Sequence, residues 1–181
     1  MPAKLALTVL LAAALSAAAA PGSGAQQPGA SPAAYPLDEV PDKMPFDIPY
    51  GAPIALERAN AAIAATVAEA RRHDWKLNVA VVDSGGNLVA FARMDGAQLA
   101  SIQIAEHKAR TAAMFRRETK VFEKGIQQSG NLYAMTLDGM IGSRGGIPLV
   151  EGGKLIGAIG CSGGTGSQDE VACRAGVATI K

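Results

Sequence analysis

His107 and Met114 are the two residues of this chain whose types and spacing best suit metal chemistry. They lie seven positions apart in a stretch of high helix propensity, residues 99–117, so on a helix their side chains point the same way, two turns apart. A neutral imidazole and a thioether are both ligands of metals and of haem iron, and Met94 is an alternative second ligand. A single histidine on a helix is also a common solvent-facing side chain, and the pattern does not choose between the two interpretations.

Two cationic side chains, Lys108 and Arg144, are candidates for binding a carboxylate. Arg144 lies between Ser143 and the pair Gly145–Gly146, where a guanidinium can hold a carboxylate or a propionate in two parallel hydrogen bonds. Each residue also has an ordinary interpretation. Lys108 is equally typical of a surface lysine whose stem lies along apolar neighbours, and Arg144 of an exposed turn residue.

Glycine is concentrated near the C-terminus, where eleven of the 28 residues from 139 to 166 are glycine. Glycine lets another group approach the backbone closely, so this region indicates either a ligand pocket or the tight turns of a compact antiparallel sheet. Four of these glycines flank the predicted C-terminal hairpin and are candidate contacts for a bound cofactor: Gly145, Gly146, Gly163 and Gly164.

The glycine-rich region lacks the patterns of two common catalytic loops. No Gly-x-x-x-x-Gly-Lys-Ser/Thr phosphate loop is present. Gly160, Ser162 and Gly164 fit the Gly-x-Ser-x-Gly pattern of serine hydrolases, but nothing directs either histidine of the chain towards Ser162. The sequence therefore argues against serine hydrolysis.

Cys161 and Cys173 are the two cysteines, twelve positions apart. One lies at the end of a predicted strand and the other in the first turns of a closing helix predicted from about Asp169. In an exported protein this spacing makes a disulfide feasible, with two reduced, buried thiols as the alternative. Two thiols without neighbouring histidines are too few for a zinc site.

Apolar periodicity predicts the elements that position these residues. They are a helix over 53–72, a hairpin of 77–82 and 88–91, a helix over 99–117, a third helix over 119–127 interrupted at Gly125, one short strand within 131–144, a second hairpin of 147–150 and 155–159, and the closing helix. Two hairpins separated by helices agree with an α/β (α+β) domain.

The N-terminal 50 residues are predicted to lie outside the domain. Residues 1–25 have the basic start, short apolar run and small residues near Ala25 that are typical of a secretory signal, with an uncleaved anchor as the alternative. Residues 26–50 contain six prolines and predict an extended leader, and residues 51–181 one domain. We therefore expect a periplasmic or secreted protein without a membrane span after cleavage.

The charge of the mature chain excludes some classes of partner. Removal of residues 1–25 takes away Lys4 and no acidic residue, which leaves 16 basic and 16 acidic residues. Nucleic acid and acidic lipid surfaces select for a basic stripe, which scattered, balanced charges do not form. A small ligand or another protein is the expected partner.

The ordered set of these motifs resembles the GlcG/HbpS family over about residues 49–181. The segments that carry the resemblance are Asn78–Ala97, Ala105–Ala109 with Thr111–Ala112, Gly146–Leu149, Gly157–Gly160, and Ser162–Gly164 with Gln168–Glu170. Lys108 and the four candidate glycines match residue types of the family pattern, as does Met94. His107 lies beside the family's lysine at a variable position, and Cys161 replaces a more usual aliphatic residue.

The resemblance implies a profilin-like domain, an antiparallel sheet of about five strands flanked by helices, that assembles into dimers or larger homo-oligomers. Family members are described as binding or degrading haem, a related domain is fused to a corrinoid adenosyltransferase, and others belong to glycolate-use operons. The first hypothesis is thus an exported module that binds haem or another tetrapyrrole, with His107 on the iron and Arg144 on a propionate. The second is an enzyme or binding protein for a small carboxylate, with Lys108 or Arg144 as the anion ligand and Asp83 or Asp95 moving a proton. A third is an interaction domain that signals to a membrane sensor.

Overall fold

The computed structural model describes residues 40–44 and 46–181, of which residues 43–181 belong to one compact unit. The predicted signal segment and most of the predicted leader lie outside the described residues. Among the helices described, none has the length and apolar character needed to cross a membrane.

Four helices and four strands make up the compact unit, in an order that confirms the predicted alternation of helices and hairpins. In chain order they are α1 (Leu56–Arg72), β1 (Asn78–Asp83), β2 (Leu88–Arg93), α2 (Ser101–Met114), α3 (Thr119–Ser129), β3 (Gly146–Glu151), β4 (Lys154–Ser162) and α4 (Gly166–Val177).

The sheet is antiparallel throughout, with the strand order β2-β1-β4-β3. It has four strands in the described residues, so the prediction of about five is wrong by one. The strand expected within 131–144 is replaced by a short 3-10 helix, Leu132–Thr136, and irregular chain. Thr136 is the one β-branched residue of this 3-10 segment, so the local preference for an extended strand is weak.

The two faces of the sheet are covered by different helices. α1 and α4 pack on one face, where Val79, Val81 and Ile159 enter the larger apolar core. α2 packs on the other face against Ala80, Val82 and Ala158. Alternate residues of one strand therefore enter different cores, as the period of two in a β-strand requires. The result is a three-layer domain with α2 on the opposite side of the sheet from α1 and α4.

α2 approaches the sheet closely because small residues meet at the contact. Ala105, Ala109 and Ala112 of the helix are fully buried, and a Cβ built on Gly160 of β4 would overlap the backbone carbonyl oxygen of Ala105. Alanine on the helix and glycine on the strand thus remove the side chains that would otherwise separate the two backbones. This contact fixes the position of Lys108, which lies in the same part of α2.

Helix ends differ from the sequence prediction in each of the four helices. α1 begins at Leu56 and not at residue 53. α2 ends at Met114 and not near Arg117, because the chain turns at Arg116, whose φ is 54°. α3 continues through Gly125 without interruption and ends before Gly130, which adopts the left-handed conformation favourable to a helix C-terminus. α4 begins at Gly166 with a capping box formed by Thr165 and Gln168, which places Asp169 in its first turn.

The last residues of the predicted leader belong to the compact unit. Tyr50 forms a parallel bridge with Leu155, and the amide of Leu155 donates a hydrogen bond to the carbonyl of Pro49. Ile48 packs against the core beneath α2. The chain from residue 46 to residue 50 therefore forms part of the domain surface.

Candidate functional site

Lys108 and Asp169 form a buried ion pair beneath the start of α4. The Lys108 ammonium donates to the Asp169 carboxylate at 2.8 Å and to the carbonyl oxygen of Cys161 at 3.1 Å, and the two side chains are 2 and 3% exposed. Burial raises the pKa of Asp169, although Lys108 and the amides of Gly163 and Gly164 act in the opposite direction. Lys108 is therefore an internal counter-ion rather than a surface lysine, and its ammonium is not presented to a surface ligand.

The candidate glycines surround this ion pair and pack against the chain itself. A Cβ on Gly145 would lie 2.9 Å from both the Asp169 Cβ and the Cys161 carbonyl oxygen, and one on Gly146 would overlap the carbonyl of Lys108. The space that Gly145 and Gly146 leave open is thus filled by protein atoms. At these two positions glycine allows close packing around a buried charge, whereas Gly152 and Gly153 form the tight turn between β3 and β4, as the tight-turn interpretation expects.

The disulfide between Cys161 and Cys173 joins β4 to α4, with the two Cα atoms 5.8 Å apart. The structure thus adopts the bridged alternative of the two that the sequence left open. Both cysteines are fully buried, and the carbonyl of Cys161 is the second acceptor for Lys108. The bridge therefore ties together the same two elements that carry the ion pair.

Arg144 binds a carboxylate of its own chain. Its guanidinium donates to Glu123 at 2.6 Å, its backbone amide donates to the same carboxylate at 2.7 Å, and a second carboxylate, Glu170, lies 3.7 Å away. Glu170 in turn accepts hydrogen bonds from Lys120 and Arg174, each at 2.8 Å. Arg144 is thus part of an ion network that joins α3 to α4, rather than an isolated turn residue.

The structure separates the candidate iron ligands from one another. His107 is exposed and lines a depression of about 220 Å³ with Gln103, Glu106 and Arg110. Met94 packs against the core on the α1 and α4 side of the sheet, so the sheet lies between it and α2.

Met114 is 52% exposed and lines a different depression, with Tyr50, Ser84 and Gly85. Among the described residues, no group of three or more His, Cys, Asp or Glu side chains forms a metal site. A role for His107 on iron stays a prediction, and Met94 is not placed to share it within one chain.

A surface groove with an apolar wall runs along β3, an edge strand of the described sheet. It has a volume of about 430 Å³, within the range of about 300–1,000 Å³ usual for small-molecule sites. We call it the arginine-rimmed groove. Its lining is Phe46, Ile48, Arg116, Arg117, Glu118, Val121, Ile147, Pro148, Val150, Arg174 and Val177.

The family model described as haem degrading protein HbpS-like matches residues 54–178. The chain belongs to the HbpS-like family. This confirms the resemblance found in the sequence.

Three similar proteins each align with this chain over most of their own length. GlcG from Escherichia coli (strain K12) is 39% identical over 109 residues, 60% of this chain and 81% of GlcG. The structure of a double mutant of HbpS from Streptomyces reticuli is 30% identical with a TM-score of 0.66, over 85% of this chain and 99% of that one. The structure of a PduOC:haem complex is 26% identical with a TM-score of 0.65, over 71% of this chain and 96% of that one.

Sequence reasoning did not identify several of the residues that matter most in this HbpS-like domain. The sequence pattern indicates Asp169 only as part of a helix start, although it shows an acidic residue in the first turn of α4 and Lys108 as a candidate site residue. The same pattern predicts Arg116 and Arg117 inside a helix. The signal that could have found them is two adjacent arginines just beyond the last alanines of the apolar stripe of α2.

Proposed function

We propose that this protein is exported and binds haem or a related tetrapyrrole, as a step in haem sensing or haem degradation. One observation carries the proposal: a domain of the same fold, PduOC, has been crystallised as a haem complex, and it aligns with 71% of this chain. The HbpS-like family match over residues 54–178 supports the same ligand.

Two features of the chain support export. Residues 1–25 have the composition of a secretory signal. The domain is also closed by a buried disulfide between Cys161 and Cys173, and such bonds persist in oxidising compartments such as the periplasm or the cell exterior. A periplasmic or secreted protein is the proposal that agrees with both.

The small-carboxylate alternative receives less support from the geometry. It relied on Lys108 or Arg144 as the anion ligand, and these side chains are engaged by Asp169 and Glu123. Asp83, one of its two proposed proton carriers, accepts hydrogen bonds from the amides of Gly85 and Asn87 and so stabilises the β1–β2 turn. We therefore favour the tetrapyrrole.

Exposed apolar side chains support assembly with other chains. Leu132, Tyr133 and Met135 of the 3-10 helix are 62, 53 and 67% exposed, and adjacent exposed apolar residues are typical of contact surfaces. We propose that the protein forms homo-oligomers and that a membrane sensor is a further partner. Native mass spectrometry of the mature protein measures the first of these directly.

Titration of the mature protein with haem tests the proposed function. We expect a saturable change in the Soret absorption band with the wild-type protein. His107→Ala separates two modes of binding: a changed Soret spectrum identifies His107 as an iron ligand, and an unchanged one locates the iron elsewhere. His73→Ala is the matched control, since His73 is the other histidine of the chain. Absence of saturable binding to the wild-type protein would overturn the proposal.

A further inference from the structure

We propose that the arginine-rimmed groove binds the tetrapyrrole through its apolar ring and its carboxylates, with Arg116 and Arg117 as the carboxylate ligands and with no protein ligand to a metal. This inference rests on the proposed function and locates its binding site. It differs from the expectation from the sequence, in which His107 and Arg144 held the iron and the propionate.

The wall of the groove suits a flat apolar ring. Val121 of α3, Pro148 and Val150 of β3, and Ile48 of the preceding segment form its apolar surface. Val121 is 47% exposed, so its side chain is open to solvent until something covers it. A ring lying against these side chains would remove their apolar area from water, which is the main favourable term in binding such a ligand.

Arg116 and Arg117 supply positive charge that the described part of the chain does not neutralise with a carboxylate. Arg116 donates to the carbonyl of Ile48 at 3.2 Å and lies over the ring of Tyr50. Arg117 donates to the carbonyl of Phe115 at 3.3 Å, and its guanidinium carbon lies 3.2 Å from the ring centre of Phe46. Both guanidinium groups thus retain unused N–H donors beside an apolar wall.

Arg117 is partly buried. Loss of hydration lowers the pKa of Arg117, Tyr133 acts in the opposite direction, and the nearby charge of Arg116 lowers the pKa. The third arginine of the groove, Arg174, is different, because it is paired with Glu118 and Glu170, each at 2.8 Å. A carboxylate on the ligand would give Arg116 and Arg117 the counter-ion that Arg174 already has.

The backbone at Arg116 is an independent sign of constraint. Arg116 and Asp74 are the two non-glycine residues with positive φ in the described part of the chain. Such a conformation costs on the order of 1 kcal/mol or more in a residue with a long side chain and is enriched at ligand sites. At Arg116 it ends α2 and directs two successive arginines to the groove instead of continuing the helix.

The groove offers none of the usual ligands of haem iron. Its lining contains no His, Met, Cys or Tyr, and the one carboxylate, Glu118, is paired with Arg174. Recognition in the groove would therefore depend on the ring and its carboxylates and not on the metal. A metal-free porphyrin with the same propionates should bind as haem does.

Binding of haem and of metal-free protoporphyrin IX to the mature protein tests this site, by absorption and by quenching of protein fluorescence. We expect wild type to bind both with affinities within about tenfold of each other. Arg116→Gln and Arg117→Gln should each weaken both probes by about tenfold or more, as expected for loss of a charge-assisted hydrogen bond. Arg93→Gln, at an exposed arginine outside the groove, and His107→Ala should leave both affinities unchanged.

A second groove variant covers the case in which an arginine variant fails to fold. Val121→Glu places a negative charge at an exposed position of the groove wall and should weaken both probes by repelling their carboxylates. Haem binding that is unaffected by the groove variants, or that needs iron and is lost in His107→Ala, would overturn the groove as the site while the proposed function stands. Failure of the wild-type protein to bind either probe would overturn the proposed function itself.

Discussion

Two groups of positive charge in this protein differ in how they are neutralised. Lys108 is 2% exposed in its side chain and has both an aspartate and a backbone carbonyl within hydrogen-bonding distance. Arg116 and Arg117 are partly exposed and contact backbone carbonyls and aromatic rings, with no carboxylate partner among the described residues.

The difference separates charges that hold the fold from charges available to a ligand. A cation buried with its counter-ion cannot move without exposing an unpaired charge to an apolar interior, so it fixes the elements on either side. A cation at the edge of a groove retains its hydration in part and can exchange it for an anionic ligand. Lys108, which resembled a candidate ligand in the sequence, belongs to the first kind.

The largest expected effect is on stability when the buried cation is removed. Lys108→Met leaves Asp169 buried beneath α4 with its main partner gone, which should lower the free energy of unfolding by about 3–5 kcal/mol. Arg116→Met removes a cation of the groove and should lower it by about 1 kcal/mol or less. Urea unfolding monitored by circular dichroism measures both.

A double variant tests whether the loss comes from the stranded carboxylate. Asp169→Asn added to Lys108→Met removes the unpaired charge and keeps a side-chain acceptor for the amide of Gly164, so part of the lost stability should return. Equal losses in Lys108→Met and Arg116→Met would remove the distinction between the two groups of charge.

An intermediate effect is expected where the glycines pack around the ion pair. Gly146→Ala would force its Cβ against the backbone carbonyl of Lys108 and the methyl group of Thr119, at a cost of about 1–3 kcal/mol or more. Gly125→Ala is the matched control, because a Cβ there meets ordinary contacts at 3.5 Å and lies inside α3. This change should raise stability by up to about 1 kcal/mol. Thermal unfolding of the two variants gives the comparison, and similar shifts would argue against close packing at Gly146.

The elements of the fold were more predictable than the positions of their charges. Period-two and helical patterns located both hairpins and all four helices, since those patterns follow from local geometry. The early end of α2 depends on interactions that local patterns do not contain, whereas the missing fifth strand agrees with the weak local preference for strand in the 3-10 segment. At Arg116 the chain leaves the helix with a positive φ. After a helix this conformation is usual for glycine or asparagine, so an arginine gives no sign of it.

The site was less predictable because burial decides what a charged residue does. Lys108 and Arg144 were identified as candidates by residue type, but their partners are Asp169 and Glu123, 61 and 21 positions away in sequence. The packing of α2 and α4 on opposite faces of the sheet, with Gly145 close to both side chains, brings Lys108 to Asp169. A single sequence gives the residue types but not these pairings.

The smallest expected effect concerns the pH dependence of stability at the partly exposed network between α3 and α4. Burial raises the pKa of Glu123, but hydrogen bonds from the side chain and backbone of Arg144 lower it, and the net shift is downward. The unfolded-state pKa of a glutamate is about 4.3. Glu123 therefore contributes stability that is present above this value and lost as the pH falls through the lower folded-state pKa.

Replacing Glu123 by glutamine should isolate this contribution. Between about pH 7 and about pH 3, Glu123→Gln should lose less unfolding free energy than wild type, by on the order of 1 kcal/mol or less. Asp169 acts with the opposite sign, because its raised pKa gives a contribution that is largest at low pH and lost as the pH rises. The difference between variant and wild type cancels the contribution of Asp169 to the unfolding free energy, since Asp169 is present in both. A steeper acid loss in Glu123→Gln than in wild type would show that Arg144 does not hold this carboxylate in its ionised form, and would place Arg144 with the arginines that remain available to a ligand.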